Sequence, residues 1–318
     1  MIKWGILGAA NIARKALIPA IQRTEDSEII AIASSSGKEK EVQQQFGIEK
    51  AYGSYEELLQ DSEIEAVYIP LPNHLHKKWV FEAAKAGKHI LCEKPASLTH
   101  QDVIEMIEVC NENHVQFLEA FMYQFHPQHH RVKELIAEGE IGEVEYLRAS
   151  FSFSFDRSKY NIRLDKEKGG GALWDVGCYG THTAINLLDS DPIEHTVKSS
   201  LDDEYGVDVT SLVTLRMENG TMAQVDCSFN APLRHQYEVL GTKGSIQIPF
   251  AYRPDANDHK GVIKVSNQDG SYEETIIGDQ YKLQVETFTK AIKQNESLKS
   301  YHDKTLENIK LLEQLYKY

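Results

Sequence analysis

The sequence predicts an α/β chain: a doubly wound parallel sheet first, then an α+β half whose open sheet is mainly antiparallel. Three observations predict it. Short β-rich runs alternate with helical patterns as far as residue 119. A glycine turn joins the first such run to the first helix. Near residue 123 the alternation gives way to closely spaced strand patterns with Asn219-Gly220 and Asp269-Gly270 as hairpin turns.

Each element has its own local reason. Ile2–Leu7 reads as a strand and Asn11–Arg23 as a helix that Pro19 must kink or split. Ile29–Ala33 is a second β run. Glu39–Phe46 and Ser54–Gln60 are helical, the latter opened by a Ser54-x-x-Glu57 capping box. Val67–Pro70 is the third strand, and His76–Ala86 is a helix that Gly87 stops. His89–Glu93 is the fourth strand. Thr99–Asn113 is a helix with Thr99 at its N-cap, and Val115–Glu119 is the fifth strand. Beyond the change of pattern, His126–Glu138 reads as a helix. Val144–Phe153, Thr210–Met217, Met222–Phe229, Gln236–Leu240, Ser245–Pro249 and Gly261–Val265 read as strands. Asp279–Gln294 and His302–Tyr316 close the chain as helices.

The chain has 318 residues, enough for two domains, and the pattern divides it into 1–122 and 123–318. Apolar residues make up 41%, which excludes intrinsic disorder. The formal charge, 34 − 48 = −14, argues against nucleic acid or an anionic membrane as a partner. Any anionic ligand must therefore be held by a local site. Cys92, Cys110, Cys178 and Cys227 form no CxxC pair and no zinc spacing, so a reduced cytoplasmic setting without a bound metal is expected. No secretory-signal pattern precedes the first strand, and no apolar run approaches a membrane span.

Three motifs carry chemistry. Gly5-x-x-Gly8-Ala9-Ala10-Asn11-Ile12-Ala13 follows a strand and opens a helix, as G-x-G-x-x-G/A does where a pyrophosphate meets a helix N-terminus. Ala10 takes the second glycine place. After the second β run, where an acid would bind the adenine ribose, the chain reads Ser34-Ser35-Ser36-Gly37-Lys38, with no carboxylate until Glu39. Hydroxyls and Lys38 suit a 2′-phosphate, so NADP is favoured and NAD remains possible. The fourth strand ends in Glu93-Lys94-Pro95. In the order 3-2-1-4-5-6 it is expected to lie beside strand one, which would put Lys94 in the same crevice as the glycine turn. Pro95 limits Lys94 to extended backbone and opens the possibility of a cis bond.

The third motif runs from Gly169-Gly-Gly171 through Trp174-Asp175 to Tyr179 and His182. On a helix, Asp175, Tyr179 and His182 fall within about 40° of one another. Such a stripe suits proton transfer with a substrate hydroxyl, or else a buried hydrogen-bonded cluster. Tyrosine, with a free pKa of about 10, becomes a base near neutrality only beside a cation.

Together these motifs resemble the glucose–fructose oxidoreductase / inositol dehydrogenase / rhizopine-catabolism (Gfo/Idh/MocA) family of NAD(P)-dependent oxidoreductases. The resemblance spans nearly the whole chain. It takes in Tyr68-Ile-Pro-Leu71-Pro72-Asn73-His74-Leu-His76, Glu93-Lys94-Pro95, Glu119-Ala-Phe-Met122, the Gly169–His182 stretch and Gly241-Thr-Lys-Gly244. It implies a Rossmann domain, then a domain with an open sheet that assembles homodimers or homotetramers. It implies cofactor contacts from Gly8, Ala10, Asn11 and Ile12, from Ser34, Ser35 and Lys38, from Leu71, Pro72, Asn73 and His76, and from Glu93 and Lys94. The family's D-x-x-x-[HY] pair falls on Asp175 and Tyr179. As in members resembling dihydrodiol dehydrogenase, Tyr179 would be the general acid/base. Lys94 would touch substrate and nicotinamide ribose, and Asp175 would orient the substrate or Lys94. Tyr123, Arg163, Trp174 and His182 are candidates for the substrate pocket. Gln124 stands where many members have arginine, and Ser35 where an NADP-pairing arginine is frequent. The reaction expected is hydride transfer between nicotinamide and a secondary alcohol or ketone of a sugar, polyol or diol. The alternatives are a nicotinamide-binding sensor without turnover, or other redox chemistry on the same cofactor.

Overall fold

The structure is a computed structural model and describes residues 1–316. The described residues form two compact units, one of Met1–Met122 with Tyr281–Leu306, the other of Tyr123–Gln280 with residues 307–316. The division at 122 falls where the sequence pattern changes. The second part is not continuous, however, because residues 281–306 group with the first unit.

In the first unit the strands are β1 (Ile2–Leu7), β2 (Ser27–Ala33), β3 (Lys50–Tyr52), β4 (Ala66–Ile69), β5 (His89–Cys92) and β6 (Phe117–Glu119). They form one parallel sheet in the order β3-β2-β1-β4-β5-β6. The helices between them are α1 (Ile18–Gln22), α2 (Glu39–Phe46), α3 (Tyr55–Gln60), α4 (Asn73–Lys85) and α5 (His100–Glu112). The helix expected over 11–23 is divided: a π-turn covers Ala13–Leu17, and α1 then begins with Pro19 in its first turn. The π-turn falls just before Pro19, whose missing N–H leaves a gap in the helical hydrogen bonding. Ser54 and Thr99 cap α3 and α5 by accepting the N–H of Glu57 and of Asp102, each at 3.2 Å.

The strand that leads to Lys94 is β5, and it pairs with β4 rather than with β1. The expected adjacency fails because the short strand β3 escapes the sequence pattern and shifts the count by one. Helix α8 (Gln280–Gln294) and the start of α9 (Lys299–Leu315) complete this unit. Phe288 sets its ring 5.7 Å from the fully buried Trp4 of β1, and Thr289 bonds Ser27 of β2 at 3.0 Å.

In the second unit, α6 (Pro127–Ala137) precedes β7 (Val144–Ser152), and α7 (Cys178–Leu188) precedes β8 (Pro192–Leu201). Then follow β9 (Asp208–Met217), β10 (Met222–Ser228), β11 (Arg234–Gly241), β12 (Gly244–Ile248), β13 (Lys260–Asn267) and β14 (Gly270–Ile277). The sheet order is β14-β13-β12-β11-β7-β10-β9-β8, antiparallel except at β7 and β10. Helix α7 lies on the sheet at Gly180, where a Cβ would collide with Val225 of β10. The other face keeps Arg148, Leu212, Thr214 and Gln224 exposed, in alternation with buried Leu147, Val213 and Val225. Among the described residues no helix is long and apolar enough to cross a membrane.

Candidate active site

The first unit supplies a cradle at the carboxyl ends of its strands. Gly8 has φ +128°, and a Cβ there would stand 3.1 Å from Leu71 Cδ2, so bare backbone is what the turn accommodates. Ala10 and Ile12 are half-buried and Asn11 is exposed, at the opening of the first helical stretch. After β2, Ser34 bonds Ser36 at 2.8 Å, and Ser35 bonds Tyr55 at 3.2 Å. Lys38 is exposed at the N-cap of α2. A glycine turn, an open helix N-terminus and a hydroxyl-lined turn fit the diphosphate and adenosine end of a dinucleotide. Pro72 is the N-cap of α4 and Asn73 its first residue, so that helix begins three residues earlier than its expected start at His76.

Two residues expected at the cofactor have protein partners of their own. His76 is fully buried, with its ring nitrogens 2.7 Å from the Leu71 carbonyl and 3.0 Å from the Pro95 carbonyl. Burial lowers its pKa against the pull of those carbonyls, and in its neutral form the ring donates to one of the two. Glu93 accepts the Tyr68 hydroxyl at 2.5 Å and the Lys94 N–H at 3.3 Å. Both side chains serve the turn that carries Lys94, whose bond to Pro95 is cis. Lys94 itself is half-buried. Sequence reasoning missed Glu119 as a residue of this turn: it accepts the Ala96 N–H at 2.7 Å. The signal available was a carboxylate ending an otherwise apolar buried strand.

The second unit places Tyr179. A π-turn over Leu173–Gly177 precedes α7, which alters the simple helical phase of Asp175. Asp175 accepts from Arg163 Nε at 2.6 Å. Arg163 also lies over the Phe153 ring, 5.4 Å from its centroid. Its pKa is raised first by the Asp175 charge and also by Tyr179. A fixed guanidinium therefore acts on the Tyr179 phenol, where it favours the phenolate.

The Tyr179 ring is packed among Phe151 at 5.2 Å, Tyr252 at 5.2 Å and Tyr123 at 5.8 Å. Tyr123 and His182 are buried and bonded to each other at 2.6 Å. Thr183 donates to the Tyr179 carbonyl at 2.7 Å and lies 3.2 Å and 3.1 Å from the Tyr123 and Tyr252 hydroxyls. His129 bonds Tyr237 at 2.9 Å, and burial brings it down to about 3. Burial pushes Tyr123, Tyr237 and Tyr252 up. His129 and these three tyrosines are therefore neutral. Trp174 is buried against Tyr316, with ring centroids 5.8 Å apart. Of the expected substrate-pocket residues, Tyr123 and His182 thus belong to the cage around Tyr179, Trp174 to the core and Arg163 to the Asp175–Tyr179 cluster. Thr183, Tyr252 and His129 carried no sequence signal beyond the spacing of Thr183 one turn after Tyr179.

A family model described as an oxidoreductase family with an NAD-binding Rossmann fold matches residues 2–121. A GFO/IDH/MocA C-terminal domain model matches residues 129–247. The chain is 35% identical over 315 residues to D-xylose 1-dehydrogenase (NADP(+)) 2 of Haloferax volcanii, covering 98% of this chain and 96% of that protein. It is 33% identical over 253 residues to trans-1,2-dihydrobenzene-1,2-diol dehydrogenase of Xenopus tropicalis, covering 78% and 75%. The crystal structure of KijD10, a 3-ketoreductase from Actinomadura kijaniata, in complex with NADP and TDP-benzene, matches with a TM-score of 0.92 at 29% identity over 98% of this chain and 95% of that one. This chain belongs to the Gfo/Idh/MocA family of oxidoreductases and is an NAD(P)-dependent dehydrogenase or reductase.

Proposed function

We propose that this chain oxidises a secondary alcohol of a sugar, polyol or diol, or reduces the matching ketone, with NADP as the favoured cofactor. One observation carries the reading: the Tyr179 phenol is packed among the uncharged rings of Phe151, Tyr123 and Tyr252 while the fixed charge of Arg163 reaches it. When bound, the nicotinamide supplies hydride acceptance or donation. In the oxidation direction Tyr179, as phenolate, takes the hydroxyl proton, and in reduction it returns it. Lys94 holds the reacting oxygen. Asp175 orients Arg163 through their 2.6 Å bond. Proton transfer of this kind typically contributes about 10²–10⁴-fold.

Support for NADP comes from the Ser34–Ser36 hydroxyls and Lys38, and from the relatives named with NADP. Support for a polyhydroxylated substrate comes from relatives that act on D-xylose and on a dihydrodiol. Leu212 and Met222, 51% and 46% exposed on the open sheet face, support assembly of a homodimer or homotetramer through that face. The charge of −14 supports no nucleic-acid or membrane partner, and four buried cysteines outside any disulfide suit a cytoplasmic setting.

The test is a thermal-shift comparison of NADP and NAD, followed by reduced-nicotinamide absorbance across a panel of aldoses, inositols and diols. The reading expects the larger shift with NADP and turnover of at least one panel member. A larger shift with NAD overturns the cofactor preference, and no shift with either overturns the whole reading.

A further inference from the structure

One buried carboxylate stands outside the chemistry described so far. Glu119 ends β6 in register with Cys92 of β5 and is 3% exposed. One of its oxygens accepts the Ala96 N–H at 2.7 Å. The other accepts the Thr305 hydroxyl of α9 at 2.8 Å. Ala96 stands two residues after Lys94, so this carboxylate fixes the far side of the Lys94–Pro95 turn.

The titratable groups facing Glu119 come from two directions. From the end of β5 they are Lys94, which draws its pKa down, Glu93, which pushes it up, and the Cys92 thiol, which Glu119 in turn pushes up. From α9, one turn before Thr305, His302 bonds the Phe117 carbonyl at 2.8 Å. Burial outweighs the rest and pushes Glu119 up to about 7.

Holding an ionised carboxylate away from water is costly unless its charge is answered. As a strut alone it could be a glutamine, which would accept from Ala96 and pair with Thr305 equally well. What a glutamine cannot do is attract the Lys94 ammonium. We propose that Glu119 is a positioning residue for Lys94: with Thr305 it pins the backbone of the Lys94 turn, and its charge holds Lys94 in the ammonium form. The assignment rests on the reading of Lys94 as the group that holds the reacting oxygen.

The experiment is competitive acetylation of the full chain without cofactor, with peptide mass spectrometry reading Lys94 against exposed Lys159. In Glu119→Gln, Lys94 is expected to react at least about threefold faster near pH 8 than in the wild type, the ratio for half a pKa unit. Thr305→Val keeps the carboxylate but removes a bond that lowers its pKa. It is expected to raise Lys94 reactivity near pH 7. Lys94 reactivity unchanged in Glu119→Gln overturns the proposal. If that variant does not fold, unchanged reactivity in Thr305→Val does so. A Tyr179→Phe variant with full turnover would instead overturn the acid/base reading and leave the labelling result standing.

Discussion

The surroundings of Lys94 and of Tyr179 solve one problem by opposite means. Lys94 sits on a turn whose backbone is pinned by charged or polar side chains: Glu93 at its own N–H, His76 at the Pro95 carbonyl, Glu119 at the Ala96 N–H. Tyr179 sits on a helix, and rings hold it: Phe151, Tyr252 and Tyr123, with Thr183 at its carbonyl. A flexible ammonium on a loop needs its backbone fixed and its charge favoured. A rigid phenol on a helix needs only its ring enclosed, and one guanidinium to favour the phenolate.

The contrast orders the expected effects. Removing either reacting group comes first: Tyr179→Phe and Lys94→Ala are each expected to cut turnover by about 10²–10⁴-fold, measured at saturating NADP. Next is Arg163→Gln. Arg163 favours the phenolate, so its loss raises the Tyr179 pKa and moves the limb set by that group in the oxidation profile to higher pH. A fall of about tenfold in kcat near neutrality would accompany a rise of one pKa unit. An unmoved limb would break the contrast.

Thr183→Val tests the cage. It removes a hydroxyl within bonding distance of three groups and is expected to cost about 1–2 kcal/mol of stability, with a smaller loss of kcat. Glu119 predicts a signature with the opposite character. Its folded pKa, about 7, lies above the ordinary 4.5. Its contribution to stability is therefore complete below 4.5 and is lost as pH rises to about 7. Glu119→Gln should flatten that part of the Tm-against-pH curve, and an unflattened curve would place the titration elsewhere. Ser54→Ala is the smallest: about 1 kcal/mol from the lost cap of α3, with turnover unchanged.

Much of this was legible in the sequence because burial leaves a pattern. The strands that lie inside the sheets, such as β1, β4 and β9, show it, and the caps at Ser54 and Thr99 announce their helices. The strands that escaped, β3, β8 and β14, are three of the four sheet edges. An edge strand has little buried face, so its residues neither run apolar nor alternate, as in Pro192–Leu201. That omission also misplaced the Lys94 strand beside β1. At the site, Lys94, Asp175 and Tyr179 stood out because polar side chains are odd at a buried strand's end and on one helix stripe, and because they fall on the family's motifs. Their supports did not. Glu119 and Thr305 are 186 residues apart, and Tyr123 and His182 are 59 apart. No local rule links residues at such distances. His76 stood out because a histidine in a motif reads as a ligand contact, and its two carbonyl partners did not.

The most direct test of the central claim is the pH dependence of kcat/KM for oxidation of the best panel substrate by the wild type and by Tyr179→Phe. The account predicts that the variant turns over at least about a hundredfold more slowly and lacks the ionisation that limits the wild type. A variant that keeps the wild-type rate and the same ionisation would contradict it.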